Sequence, residues 1–149
     1  MRVYLDSSAV LKRVLAEAES ADLVVALDKH HAEGDVLVSS SLAWIEVARA
    51  LRSLRHATLP EVADDVDAAL SGVAEHPLVA EVVALARRVS PAVLRSPDAI
   101  HLASALLLDV GIVLTYDQRL AAACIEGGLA VGAPGSDSVP TTRTGAPPD

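Results

Sequence analysis

The chain has 149 residues, 52% of them hydrophobic, and its 12 basic and 20 acidic side chains give a formal net charge of −8. That length suits one domain with a single core, and the apolar content excludes a mainly disordered chain. The acidic surplus and the three aromatic residues, Tyr4, Trp44 and Tyr116, argue against a protein that coats nucleic acid by charge and base stacking.

Residues 2–5 read as a short apolar strand, residues 7–15 as a helix and residues 20–31 as a second helix. Gly34-Asp35 breaks the chain before an apolar strand at residues 36–39. Residues 42–55 form a strongly amphipathic helix. Pro60 takes an early helical position and residues 61–73 continue that helix, with Asp64, Asp65 and Asp67 along it. A further helix is expected over residues 79–89. Ser96-Pro97 reads as an N-cap and first helical residue, opening a helix to about residue 110 that Gly111 ends. Residues 112–116 form a strand, residues 118–126 a helix stopped by Gly127-Gly128, and residues 129–131 a last strand.

Strands alternating with helices define the α/β class. The expectation is a single domain over residues 1–133, with a central, mainly parallel sheet flanked by helices in α/β/α layers. Residues 134–149 hold four of the eight prolines among Ser, Thr and Gly, and are expected to form a disordered tail. The longest uncharged runs, residues 36–45 and 99–108, have ten residues, against about 20 for a membrane span. Asp6, Lys12 and Arg13 interrupt any signal-peptide core. The single cysteine, Cys124, suits a reducing cytoplasm and reads as a small core residue on the helix 118–126.

Four acids stand in apolar surroundings: Asp6 in VYLDSSAV, Glu46 in SLAWIEVA, Asp98 in SPDAIHLA and Asp117 in VLTYDQRL. Asp6 and Asp117 directly follow strands, and Glu46 lies in the second turn of the helix after one. In an open parallel sheet, sites form at the carboxyl ends of strands. A partly buried carboxylate needs a partner or it neutralises. Lysines are nearly absent, so a hard divalent ion such as Mg²⁺ or Mn²⁺, with positions left for phosphate oxygens, suits the set. Helix capping accounts equally well for Asp6, Asp98 or Asp117 taken singly; Glu46, past the first turn, is not explained that way.

VYLDSSAVLK, SSLAWIEVARAL, LRSPDAIHLASAL, VLTYDQRLAAA and the closing GLAVGAP, in this order, resemble the PIN domain, and specifically the VapC-like toxin ribonucleases, over residues 1–133. The resemblance implies a Mg²⁺-dependent endoribonuclease with Asp6, Glu46, Asp98 and Asp117 as catalytic metal ligands, Mn²⁺ substituting. It further implies RNA as substrate, a VapB-like antitoxin as partner and a homodimer. Ser7, Ser8 and Thr115 match small hydroxyl residues beside those acids and are expected to orient them. A receiver domain would want paired acids after its first strand and a late lysine. A haloacid-dehalogenase phosphatase would want Asp-x-Asp where this chain has Asp6-Ser7-Ser8.

Arg49 and Arg52, with His56 beyond, follow Glu46 at helical spacing and are candidate RNA contacts, as is Arg119 beside Asp117; a solvated, ion-paired face is the competing reading. His101 lies one turn after Asp98, where hydrogen bonding or packing competes with a proton-shuttle role. His30 and His31 flank a turn and are expected to be exposed. Two other functions stay open: a catalytically silent binding module that acts with an antitoxin on operator DNA, and a nuclease for single-stranded DNA.

Overall fold

The computed structural model describes residues 1–142. Five parallel strands form one sheet in the order β3-β2-β1-β4-β5: β1 (Arg2–Leu5), β2 (Val36–Ser40), β3 (Ala74–His76), β4 (Ile112–Leu114) and β5 (Val131–Gly132). Among the described residues seven helices flank it: α1 (Ser7–Leu11), α2 (Ser20–Ala32), α3 (Ser41–Arg55), α4 (Leu59–Leu70), α5 (Ala80–Ala86), α6 (Ser96–Leu107) and α7 (Gln118–Glu126).

The central strand explains its own sequence. β1 pairs with β2 on one side and β4 on the other, Val3 standing opposite both Leu37 and Ile112. A strand covered on both faces is a continuous apolar run, and Val3, Tyr4 and Leu5 are completely buried. Alternation divides them: Val3 and Leu5 join a core with α1, α2, α3 and α4, while Tyr4 joins a core with α6 and α7. The first three strands build the sheet outward in one direction and β4 and β5 in the other, so the order reverses between β1 and β4. The crevice at such a switch point, outside the carboxyl ends of the strands, is where open α/β sheets bind ligands.

Local chemistry sets the helix ends. The Asp6 side chain caps α1 by accepting from Ala9 N–H, Ser40 caps α3 through Leu42 N–H, and Asp117 caps α7 through Arg119 and Leu120 N–H. Thr58 and Glu61 form a capping box on α4. The sequence reading departs from this fold in several places. α1 stops at Leu11, because residues 12–14 leave the helix as a turn. β3 was not expected, since Ala-Glu-His has no strand periodicity and the strand exists through its pairing with β2 at the sheet edge. Ser96 is the first residue of α6, with Arg95 at the cap, and the last strand begins at Val131 instead of residue 129. Past residue 133, some of the described residues touch the fold. Val139 is buried in the α6–α7 core, and Val131 N–H donates to Thr142 Oγ1 (2.8 Å) while Thr142 N–H donates to Val131 O (3.0 Å). A β5 edge with open backbone groups is the physical reason. The rest of the expected tail, residues 143–149, lies outside the described residues. Among the described residues no helix is long and apolar enough to cross a membrane.

Candidate active site

Asp6 leaves the end of β1 at the switch point, where its N–H donates to Leu114 O of β4 (3.2 Å). Its carboxylate is buried, and three donors hold it. Ser8 Oγ (2.7 Å) and Ala9 N–H (3.0 Å) donate to Oδ1, and Thr115 Oγ1 (2.7 Å) donates to Oδ2. Each hydroxyl also ties the segment after β4 to this acid: Ser8 Oγ accepts from Tyr116 N–H (2.8 Å) and Thr115 Oγ1 from Asp117 N–H (3.0 Å). Burial nevertheless pushes the Asp6 carboxyl above the ordinary carboxylate range.

Glu46 reaches the same end of the sheet from the second turn of α3. Its Oε2 accepts from Ser7 Oγ and from His101 Nε2, both at 2.7 Å. Burial acts to raise its pKa, but those hydrogen bonds outweigh it and hold the carboxyl below its usual range. His101 is 2% exposed and bonded at both nitrogens, since Tyr4 Oη lies 2.8 Å from Nδ1. Tyr4 Oη in turn accepts from Ser40 N–H (3.2 Å). A phenol that donates to Nδ1 would leave the proton on Nε2 for Glu46. His101 has the hydrogen-bonding role, as an orienting group behind Glu46. Nothing in the spacing of Tyr4 marks it for this network; its one signal is a lone polar-tipped ring in an otherwise aliphatic strand.

Asp98, in the first turn of α6, is the acid without support. Its Oδ2 is buried with no hydrogen-bond partner among the described residues. Burial and the charges of Asp117, Asp6 and Glu46 push its carboxyl above the ordinary range, with His101 opposing them. Asp117 uses Oδ1 to cap α7, through Arg119 N–H (2.7 Å) and Leu120 N–H (3.1 Å). Hence Asp98 Oδ2, Asp117 Oδ2 and Glu46 Oε1 are oxygens without a hydrogen bond among the described residues, on acids that repel one another. A hard cation relieves that repulsion, and these oxygens suit one. The four acids do not form a tight chelate. Among the described residues, the group whose donor atoms all lie within 4.8 Å of one another is His30, Glu33 and Asp35, elsewhere on the chain. Mg²⁺ needs no such chelate, because it usually keeps several waters beside one or two carboxylates. In that other group, half-buried His30 bonds Asp35 (2.7 Å), while His31 is exposed.

The candidate RNA contacts fall in two places. Exposed Arg49 and Arg52 line a hollow of about 430 Å³ with His56 along α3. Neither makes an ion pair among the described residues; on this helix it is Arg55 that pairs with Asp65. Arg119 lies on another face, in a groove shared with Arg95, a residue the sequence reading passed over. Cys124 is completely buried.

The profile of the PIN domain family matches residues 3–126. The chain belongs to the PIN domain family. It is similar to Ribonuclease VapC47 of Mycobacterium tuberculosis, 32% identical over 136 residues covering 90% of this chain and 98% of that one. It is also similar to Ribonuclease VapC46 of the same organism, 39% identical over 146 residues, covering 89% and 97%. Among solved structures, VapBC2 from Rickettsia felis, bound to a DNA fragment from its promoter, aligns with a TM-score of 0.70 and 11% identity, over 89% of this chain and 98% of that one. Mycobacterium tuberculosis VapC20, described as a sarcin-ricin loop cleaving toxin, aligns at 0.61 and 15% identity, covering 81% and 94%. At these identities the structures show a shared fold; the VapC likeness rests on the sequence relatives.

Proposed function

We propose that this protein is the toxin of a VapBC-type toxin–antitoxin pair, a cytoplasmic endoribonuclease that hydrolyses RNA phosphodiesters with Mg²⁺, or Mn²⁺ in its place, held by Asp6, Glu46, Asp98 and Asp117. The observation that carries this reading is Asp98 Oδ2, buried and unpartnered among the charges of three other acids. A carboxylate left in that state costs stability, and a bound cation removes the cost. Relatives named as VapC ribonucleases along nearly their whole length support the reaction class.

When bound, Mg²⁺ supplies Lewis-acid chemistry, lowering the pKa of water and offsetting charge on the phosphodiester. The chain's own residues supply position. Ser8, Thr115 and Ala9 N–H fix Asp6 by donating to both of its oxygens. Ser7 and His101 hold Glu46 by Oε2 and leave Oε1 available. Water attacks phosphorus in line with departure of the 3′-oxygen, which leaves a 5′-phosphate and a 3′-hydroxyl. A VapB-like antitoxin and a homodimer complete the reading. The exposed apolar residues Leu78, Val79 and Val83, at and before α5, offer surface to a second copy.

The test compares wild type with Asp98→Asn on single-stranded RNA and on DNA of the same sequence, in Mg²⁺ and in EDTA. RNA cleavage confined to wild type with Mg²⁺, falling about a hundredfold or more in the variant, is expected. Cleavage of DNA alone would establish the single-stranded-DNA nuclease, and cleavage of neither the silent module. Thermal melting gives a second readout. Without metal, Asp98→Asn should melt above wild type, by about 2–4 °C per kcal/mol of relieved repulsion. Mg²⁺ should raise the wild-type midpoint and leave that of the variant nearly unchanged.

A further inference from the structure

Arg119, Ala122, Ala123 and Glu126 share one face of α7 at i, i+3, i+4 and i+7. Opposite them runs the segment before α6, whose Leu94 N–H closes a turn on Pro91 O (2.9 Å) and whose Arg95 caps the helix. The two walls enclose a groove of about 530 Å³, within the range of about 300–1,000 Å³ usual for small-molecule sites. Its chemistry is polarised. The cationic end holds Arg119, two residues after Asp117, and Arg95, three residues before Asp98. Both arginines are exposed and neither makes an ion pair among the described residues. The floor is apolar, from Leu94 and the alanines. Glu126 marks the far end of the α7 wall, about 10 Å along the helix from Arg119.

Resting on the ribonuclease reading, we propose that this groove seats one nucleotide of single-stranded RNA adjoining the phosphate that is cut. Arg95 and Arg119 hold the neighbouring phosphate. The base lies against Leu94, Ala122 and Ala123. Glu126 repels the next phosphate and turns the strand away. In a chain of net charge −8, two unpaired guanidiniums beside a carboxylate cluster favour an anion at that spot. The floor carries no aromatic ring, so the base is accepted by shape with weak preference among bases.

The decisive measurement is binding, not cleavage. Fluorescence anisotropy would follow a labelled ten-nucleotide RNA of mixed sequence on the Asp98→Asn protein at several salt concentrations, and on wild type in EDTA as a second background. Arg95→Ala with Arg119→Ala should weaken binding about tenfold or more at low salt. The same change should reduce the slope of log affinity against log salt by about 0.7, the share of one phosphate contact on a single strand. Arg87→Ala with Arg88→Ala removes the same charge from exposed positions and should leave the slope nearly unchanged. Ala122→Leu, which fills the floor and removes no charge, should weaken binding at every salt concentration alike. Equal losses in both arginine pairs would reduce the effect to net charge, and an unchanged slope would give the groove to another ligand or to none; either result overturns the proposal. Failure of the ribonuclease reading looks different, because wild type would then cut no RNA in Mg²⁺ whatever the groove binds.

Discussion

Tyr4, His101 and Glu46 form a chain in which each group fixes the next. The backbone N–H of Ser40 donates to the phenol, the phenol bonds Nδ1 of the imidazole, and Nε2 bonds the carboxylate. Tyr4→Phe keeps the ring in its core and removes only the hydroxyl, leaving Nδ1 of His101 and the Ser40 N–H short of a partner. We expect a loss of about 1–3 kcal/mol in urea unfolding. Nitrogen-15 NMR of His101 should show the Nε2–H tautomer in wild type and a mixture in the variant. A pure Nε2–H signal in both would show that the phenol does not set the tautomer. The four acids were legible in the sequence because each sits where an apolar run meets a charge. Their supporting hydroxyls were legible because Ser7, Ser8 and Thr115 are immediate neighbours of those runs. Tyr4 and Arg95 were not, because their roles arise from residues 97 and 24 positions away, His101 and Arg119, which only the folded sheet brings close.

At the level of elements, the sequence announced the strands that are buried and stayed silent on those that exist by pairing. β1 and β2 carry their own apolar signal, whereas β3 is an edge strand of exposed Ala74 and Glu75 with half-buried His76, whose hydrogen bonds come from β2. The contacts made beyond residue 133 were hidden for the same reason. Proline, serine and glycine describe the local chain but not its anchor points, Val139 in the core and Thr142 on Val131. Ending the chain at residue 133 should therefore destabilise it. One valine's burial and two backbone-linked hydrogen bonds together amount to about 2–4 kcal/mol. Urea unfolding should show the chain ending at residue 133 unfolding earlier than one ending at residue 142. Equal midpoints for the two would show that the strap contributes nothing.

For the molecule as a whole, the apolar packing that covers the sheet also fixes its response to alkali. Burial pushes the Cys124 thiol from 9.0 up to about 12, and likewise Tyr116 from 10.0 up to about 12. An acid whose pKa is higher folded than unfolded supports the fold fully below the unfolded value and loses that support as pH rises toward the folded one. Stability should thus fall from about pH 9 upward, with Cys124 alone accounting for about 1.4 kcal/mol at pH 10. Urea unfolding at pH 8 and pH 10 should show that difference shrinking by the same amount in Cys124→Ala; an identical drop in both proteins would remove the thiol from the account. The position of β1 has a consequence of another kind, for synthesis. Its neighbour β4 lies more than a hundred residues along the chain, and the proposed site draws on both Asp6 and Asp117. A polypeptide still emerging from the ribosome carries Asp6 long before Asp117. At translation speeds of about 5–20 residues per second, the chain spends several seconds unable to assemble the site at all. On the proposed reading, a nuclease wired this way would be silent while it is being made in the midst of RNA, its four carboxylates meeting only when the sheet closes.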